Sequence, residues 1–326
     1  MSFSDLASMR LALLEESRPP NEDTIVALKV PSSPRYHLGL THAGDLCALI
    51  EASTESHGPD VWLRNVEVRQ GVRCQIREPE GELRAVQGSI IVCRASQPAL
   101  QDLFLRIYAD AIEDLGAFPH PEDIAAWLAA MSELLSKLEL GGRRRLQGLW
   151  AELLAISEFG DPMVMLRRWR PEDEERFDFL GPSFAVEVKS CQEFDRVHEF
   201  SLQQLRPPDG LEVWVASTVV RQDPDGMSVL ELLSLIESKL PDAHSRGQLR
   251  TMALSTAGPA LADDDEYRFD YFLARDSVRL MDARAIPSIS EELHADVVSV
   301  RLRVKCESLN EVGGRAEALR RLDGLR

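Results

Sequence analysis

The sequence predicts an α+β protein with two parts. Before residue 95 the chain is a series of short apolar or alternating runs separated by turn residues, which is typical of β-rich structure. Between residues 99 and 138 apolar residues recur at three- and four-residue intervals, which indicates helices. After Gly141-Gly142 helical and strand patterns alternate. We therefore predict a β-rich N-terminal region with a helical connector over residues 1–140 and a second domain over residues 141–326.

The elements of the first part follow from this patterning. The predicted strands are residues 24–30, 36–40, 45–51, 61–69, 71–77 and 89–94. Glu80-Gly81 is expected at a hairpin tip. Residues 99–115 and 121–138 are expected to be helices, and Pro121 suits a first helical turn.

The second part begins with a predicted helix over residues 143–158, because leucines and Trp150 form one apolar stripe. Two strands are expected around the turn Gly181-Pro182-Ser183, which is rich in residues that break regular structure. The full set of predicted strands is 164–169, 176–180, 184–190, 211–220, 267–274, 277–281 and 297–305. The other predicted helices are 196–205, 228–240 and, on the surface, 310–326.

Composition limits the function. The formal net charge of −17 argues against tight binding to DNA by the chain alone, although residues 141–206 carry ten basic against twelve acidic side chains. The five cysteines include no Cys-x-x-Cys pair, so buried free thiols are expected rather than zinc or disulfides. No apolar run approaches a membrane span and no leader pattern is present, so we expect a soluble cytoplasmic protein without membrane contact. Phosphate-binding, dinucleotide-binding and serine-hydrolase motifs are absent from the sequence.

Residues 184–190 carry the most informative pattern. In a strand, alternate side chains share a face, so Glu187 and Lys189 lie on one face and the neighbouring valines on the other. Asp178 stands between two phenylalanines on the preceding strand and is expected beside Glu187. Two adjacent carboxylates repel each other, and a magnesium ion with its preference for oxygen ligands would relieve this repulsion. Lys189 could then orient an attacking water and neutralise charge on phosphorus.

Taken alone, a Glu-x-Lys tripeptide is usually a solvated ion pair. The functional interpretation depends on the order of parts: a helix with a carboxylate, a strand with Asp178, a tight turn, a strand with Glu187 and Lys189, a helix and a strand.

This arrangement resembles the PD-(D/E)XK nuclease superfamily and its restriction-endonuclease-like α-β-β-β-α-β core. The resemblance covers about eighty residues and implies that Asp178 and Glu187 bind Mg²⁺, which Mn²⁺ can replace, while Lys189 assists the nucleophilic water. It also implies a catalytic role for Glu152 in the first core helix. Phe177 departs from the family pattern, because a proline is usual there. Gln203 or Gln204 matches the glutamine found after the lysine in one branch of the superfamily.

Other residues are candidates for contact with DNA. His198, Gln204, Arg143 and Arg144 are proposed as substrate-binding residues. For each of these regions a structural alternative stays open: His198 could lie on a helix surface, and the arginines could pair with acidic side chains. Trp169 could stack on a base or pack in the core. The acidic run at residues 262–266 is more typical of a solvated turn than of a metal site.

The whole chain also resembles a group of uncharacterised bacterial proteins described as PD-(D/E)XK motif proteins. That resemblance implies a metal-dependent endonuclease acting on DNA in restriction or phage defence, with other defence proteins as partners and a homodimer where both strands are cut. The alternative is a catalytically silent subunit that binds DNA or protein in a defence complex. A third interpretation is an interaction protein in which Glu187 and Lys189 form only a surface pair.

Overall fold

The structure of the protein, a computed structural model, describes residues 2–31, 33–52, 60–62, 65–77, 83–137, 146–170, 176–257, 267–289, 294, 296–309 and 313–314. The residues group into two compact units, Met1–Leu140 with Asp242–Leu254 and Gly141–Pro241 with Ser255–Arg326. Residues 242–254 thus pack with the first unit, whereas the sequence prediction placed them in the second domain.

The first unit contains a β-barrel. Its strands are β1 (Thr24–Lys29), β2 (Tyr36–Leu40), β3 (Leu46–Glu51), β4 (Val61–Trp62), β5 (Val66–Arg77) and β6 (Leu83–Cys93). The order β1-β2-β3-β6-β5 closes through a parallel pairing of β1 with β5, so five strands form a ring. Alternate side chains from four of these strands fill its apolar interior, including Ile25, Leu49, Ile76 and Ile90.

Helices complete the first unit. They are α1 (Phe3–Leu14), α2 (Pro98–Leu115) and α3 (Pro121–Lys137), joined by most of α8 (Ala243–Ala257). Helix α1 was not predicted, although Ser2 and Asp5 form a capping box at its start. Helix α8 binds α2 through Arg246 and Arg250, which both pair with the buried Asp110. Because this pairing joins segments far apart in sequence, no local pattern could have predicted it.

The second unit has a sheet at its centre. Its elements up to residue 219 are α4 (Leu146–Glu158), α5 (Pro162–Arg168), β7 (Phe179–Leu180), β8 (Phe184–Cys191), β9 (Val197–Ser201), α6 (Leu202–Leu205) and β10 (Glu212–Val219). The later ones are β11 (Gln222–Met227), α7 (Val229–Glu237), α9 (Tyr271–Asp276), β12 (Arg279–Asp282), a 3₁₀ turn (Ala283–Ala285), β13 (Arg301–Lys305) and β14 (Gly313–Gly314). The sheet order is β14-β12-β10-β8-β7, with β8 parallel to β10 and antiparallel to β7.

Strand β8 is an inner strand of this sheet, between β10 and the edge strand β7. Helix α4 packs against β8 and α7. Ala185 of β8 belongs to an apolar cluster with Val213 and Val215 of β10 and with Phe200 and Leu205, which come from β9 and α6. One face of the β8–β10 pair is therefore covered by β9 and α6, and side chains that share the face of Ala185 point toward them.

Two predicted strands are helices in the structure. Residues 162–168 form α5 instead of a strand, because Asp161 caps the helix and Pro162 occupies its first turn; only Trp169 makes a bridge, to Phe179. Residues 271–276 form α9 after the cap Asp270, where a strand over residues 267–274 was predicted. In both segments the apolar run suggested a strand, but the capping residue in front of it begins a helix.

The predicted helix over residues 196–205 is also wrong. Residues 197–201 form β9, which pairs with β13 about a hundred residues later in the chain. Arg196 has a positive φ of 49°, which is incompatible with a right-handed helix at that residue. The capping box of Ser201 and Gln204 begins only the four-residue helix α6. The observed order after β8 is thus strand, short helix, strand.

The protein is a mixed α+β structure as predicted, and its five cysteines are free. None of the described helices combines the length and the apolar character needed to cross a bilayer. Of the predicted tail helix over residues 310–326, only Gly313–Gly314 is described, and it forms a strand. The predictions for Glu80-Gly81, Gly141-Gly142, Arg143 to Arg145 and residues 262–266 fall outside the described residues.

Candidate active site

The hairpin of β7 and β8 brings Asp178 next to Glu187. Phe179 pairs with Val186, so continuing this antiparallel register by one residue places Asp178 opposite Glu187. The side chain of Asp178 accepts a hydrogen bond from the backbone N–H of Val188, with 2.6 Å between N and Oδ2. The predicted proximity of the two carboxylates is therefore present in the structure.

The turn of this hairpin is fixed by Gly181. The ring of Phe184 lies where a Cβ atom at position 181 would stand, so a larger residue there would displace the ring. The backbone N–H of Gly181 also donates to the carbonyl of Phe184 at 2.8 Å. This close approach sets the register that opposes Asp178 and Glu187.

Glu187 is held by two donors. Its side chain shares the face of Ala185, and the residue as a whole is only 4% exposed. Its Oε1 lies 2.6 Å from Nζ of Lys189 and accepts a hydrogen bond from Nε2 of Gln204 at 2.7 Å. Gln204 itself is fixed, because its Oε1 accepts from the backbone N–H of Ser201 in the capping box of α6.

Lys189 is more accessible to solvent than Glu187. Its side chain is 21% exposed, against 5% for that of Glu187. The ammonium lies 5.4 Å from the ring centroid of Phe200, close enough for a cation–π interaction. Since an ammonium has three N–H donors and the ion pair with Glu187 uses one, Lys189 keeps donors for another oxygen.

Glu152 approaches from helix α4. Its Oε2 accepts a hydrogen bond from Nε1 of the fully buried Trp169 at 2.7 Å. Burial raises the pKa of Glu152 to about 7, and the negative charge of Glu187 adds to this, while the indole bond and Lys189 act in the opposite direction. Glu152 thus interacts electrostatically with Glu187 and Lys189.

The three carboxylates disfavour each other's ionisation. Loss of solvation raises the pKa of Asp178 well above its usual value, and the charges of Glu187 and Glu152 raise it further. The pKa of Glu187 is also raised by burial, although Lys189 and Gln204 lower it in part. Lys189 is the cation described beside these acids, and one positive charge does not compensate three negative ones.

The family assignment follows from comparison with known proteins. Residues 12–307 match a family whose description reads "Putative PD-(D/E)XK family member, (DUF4420)". The chain belongs to this family. No curated protein and no solved structure shows significant similarity to it. The resemblance inferred from Asp178, Glu187 and Lys189 is therefore confirmed at the level of the family, and it implies a nuclease-like fold.

The acids of this PD-(D/E)XK chain suit a divalent cation. Within the residues that the structure describes, no group of three or more His, Cys, Asp or Glu side chains is arranged to hold a metal ion. Magnesium, however, commonly takes only one or two carboxylates and completes its shell with waters and substrate phosphates. Asp178 and Glu187 provide such a pair of oxygen donors, and because burial raises the pKa of both, a bound cation would stabilise their charged forms.

The other candidates differ in how they relate to these acids. Gln204 contacts Glu187, whereas Gln203 is exposed and its backbone carbonyl accepts from Arg176. Arg143 and Arg144 lie outside the described residues. Sequence reasoning did not identify the contact of Trp169 with Glu152 or that of Phe200 with Lys189, and the only available signal was the presence of aromatic residues near charged ones.

His198 of this PD-(D/E)XK chain is buried in a hydrogen-bond network. It lies on β9, is 3% exposed, and its Nε2 is 2.7 Å from Oγ of Ser217, which Arg196 also contacts at 2.7 Å. Burial lowers the pKa of His198 to about 4, with further lowering by Lys189 and Arg196. Burial and this network favour a structural role, so the suggested contact with substrate has no support from its position.

Replacement of this buried histidine should cost stability. For His198→Ala we expect the free energy of unfolding to fall by about 2–3 kcal/mol, because the change leaves a cavity and removes a buried hydrogen bond. Urea denaturation followed by circular dichroism measures this effect. A double-mutant cycle with Ser217→Ala should give a coupling of roughly 1 kcal/mol; independent effects of the two changes would contradict the described bond.

Proposed function

We propose that this protein is a metal-dependent endonuclease that hydrolyses phosphodiester bonds in DNA. The observation that carries the proposal is the juxtaposition of Asp178 and Glu187 on neighbouring strands with Lys189 bonded to Glu187 and partly open to solvent. Membership of the PD-(D/E)XK family supports it, because that superfamily consists mostly of nucleases.

The proposed metal is Mg²⁺, with Mn²⁺ as a substitute. Asp178 and Glu187 would hold it, and when bound it would polarise the phosphate and make a bound water more acidic. Gln204 keeps Glu187 oriented through its 2.7 Å hydrogen bond. Lys189 presents an ammonium whose remaining donors can contact a phosphate oxygen or the attacking water.

Glu152 has a distinct role in the proposal. With a pKa of about 7, its carboxyl group can accept or release a proton near neutral pH, which suits general acid–base work. Its interaction with Glu187 and Lys189 brings it within electrostatic reach of the reacting region. We assign Glu152 the control of protonation in this group rather than the principal binding of metal.

Arginines that precede Asp178 in the chain support DNA as the substrate. Arg167 and Arg168 lie in the last turn of α5, and Arg170 follows Trp169 directly. Arg170 is joined to the site through the backbone, because its N–H donates to the carbonyl of Asp178, and the three arginines add positive charge to the segment before that acid. The same proposal includes a role in bacterial restriction or phage defence, a cytoplasmic location, partner proteins and a homodimer.

A second candidate function is a nuclease-fold subunit without catalysis. The overall acidity favours it, since DNA binding by the chain alone would be weak. The paired state of Glu187 also favours it, because Lys189 and Gln204 already occupy Oε1. A subunit of this kind would bind DNA or protein in a complex but would not turn over substrate.

Measurements of metal binding and of DNA cleavage distinguish the nuclease from the non-catalytic subunit. We expect calorimetry with Mn²⁺ to detect a site on the wild-type protein and none on Asp178→Ala, because a carboxylate ligand is lost. Purified protein with Mg²⁺ should also nick or cut plasmid DNA. The matched control is Asp225→Ala, which removes an exposed acid of the same unit and should leave Mn²⁺ binding unchanged.

Each outcome has a defined meaning. Binding of Mn²⁺ without cleavage, alone and with the products of neighbouring genes, would favour the silent subunit. Absence of binding to the wild type would reject the metal-dependent mechanism. Equal Mn²⁺ affinity of wild type and Asp178→Ala would show that any metal binds elsewhere.

A further inference from the structure

Trp169 connects two of the three acids described above. Its side chain is fully buried, and its backbone bridges Phe179 at the start of the β7–β8 hairpin. The next residue, Arg170, donates its backbone N–H to the carbonyl of Asp178 at 2.7 Å. Trp169 is therefore anchored beside Asp178 before any contact of its indole is considered.

The indole N–H points at Glu152. Its 2.7 Å bond to Oε2 has the length of a strong hydrogen bond to a carboxylate. Glu152 is partly exposed and sits on α4, so without this bond its side chain would have several rotamers available. The bond selects one in which the carboxylate faces Glu187 and Lys189, as their electrostatic interaction requires.

We propose that Trp169 is a positioning residue that holds the Glu152 carboxylate for the reaction at Asp178 and Glu187. This inference rests on the proposed nuclease function and adds to it a residue outside the Asp, Glu and Lys pattern. If Trp169 only filled the core, its indole N–H could bond to a backbone carbonyl just as well as to a carboxylate. What distinguishes Trp169 is that its partner is an acid of the candidate active site.

The chain offers a close control for this distinction. Trp150 is also fully buried in the same unit, and its indole N–H donates to the backbone carbonyl of Met227 at 2.9 Å. Trp150→Phe and Trp169→Phe each remove one indole N–H and reduce the ring. Loss of packing affects both variants, whereas loss of the bond to Glu152 affects only the second.

The test is a double-mutant cycle on Mg²⁺-dependent cleavage of plasmid DNA. We expect Trp169→Phe to lower kcat about ten- to a hundredfold, the usual effect of removing a group that orients an active-site residue, and Trp150→Phe to retain wild-type kcat. In the Glu152→Ala background Trp169→Phe should cause no further loss. An equal loss with and without Glu152 would overturn the proposal, because Trp169 would then act only through packing.

A second measurement does not depend on how the Trp169 variant folds. The indole ¹H–¹⁵N signal of Trp169 should move strongly in Glu152→Ala and little in Glu152→Gln, since glutamine keeps an acceptor oxygen. An unchanged signal in Glu152→Ala would overturn the proposal. Failure of the nuclease function itself would be recognised earlier and separately, as absence of cleavage by the wild-type protein, and the proposed role of Trp169 in catalysis would fall with it.

Discussion

Glu187→Gln and Lys189→Ala are each expected to lower Mg²⁺-dependent DNA cleavage by about a hundred- to ten-thousandfold, the range observed when a group that acts in the transition state is lost. Glu187→Gln keeps the shape of a side chain that is 5% exposed, so packing around it should be preserved. Lys189→Ala removes the ammonium that lies 2.6 Å from Glu187. Initial rates on supercoiled plasmid, at saturating Mg²⁺, measure both effects.

The matched control is an ion pair of the same kind on the surface. Lys305 and Glu307 lie 2.9 Å apart and are both more than half exposed. Lys305→Ala should leave cleavage within about twofold of wild type, because an exposed pair contributes little. If Glu187→Gln and Lys189→Ala retained the activity of this control, Glu187 and Lys189 would have no catalytic role.

The two active-site variants should differ in metal binding. Glu187→Gln removes a proposed ligand and is expected to weaken Mn²⁺ affinity as well as kcat. Lys189→Ala leaves both carboxylates and removes their positive neighbour, so Mn²⁺ should bind at least as tightly while cleavage is lost. A parallel loss of metal affinity in both variants would indicate that Lys189 acts by holding Glu187 in place rather than on the substrate.

Local patterns were sufficient to predict the part of the site formed by β7 and β8. Strict alternation from Phe184 to Lys189 predicts a strand and the face of each side chain, and Gly181 predicts the turn. The pairing of Asp178 with Glu187 then follows from a short hairpin, because few registers are compatible with such a turn. The helix carrying Glu152 was predicted from its apolar stripe.

Contacts between distant segments could not be predicted in this way. Residues 197–201 are a strand because β13 pairs with them, and that partner lies about a hundred residues along the chain. The bond between Trp169 and Glu152 depends on how α4 lies against the hairpin, which no single-segment pattern specifies. The same holds for α8, whose place in the first unit depends on the pairing of Arg250 with Asp110.

The raised pKa of Glu152 leads to a prediction about stability and pH. In the unfolded chain Glu152 has a pKa near 4.5, and burial raises this to about 7 in the folded protein. Between these values the folded state keeps a proton that the unfolded state has lost, so the free energy of unfolding falls as pH rises through this window. The contribution of Glu152 to the free energy of unfolding is fully present below pH 4.5 and is lost above pH 7.

Glu152→Gln should remove this contribution. Without metal, we expect the free energy of unfolding of the wild type to fall between pH 5 and pH 8 by on the order of 2 kcal/mol more than that of Glu152→Gln, allowing for the partial exposure of the group. Urea denaturation of both proteins at the two pH values measures the difference, and groups that titrate equally in both cancel. Glu122→Gln, which changes an exposed acid in the first turn of α3, should behave as the wild type.

Mg²⁺ should counteract this fall in the free energy of unfolding at high pH. A cation held by Asp178 and Glu187 lowers the cost of ionising Glu152 nearby, so Mg²⁺ is expected to stabilise the wild type more at pH 8 than at pH 5. This dependence should be weaker in Glu152→Gln, because one of the three mutually repelling charges is gone. Identical pH profiles for wild type and Glu152→Gln, with and without Mg²⁺, would mean that Glu152 is not coupled to Asp178 and Glu187, and the electrostatic basis for placing a cation among these acids would be lost.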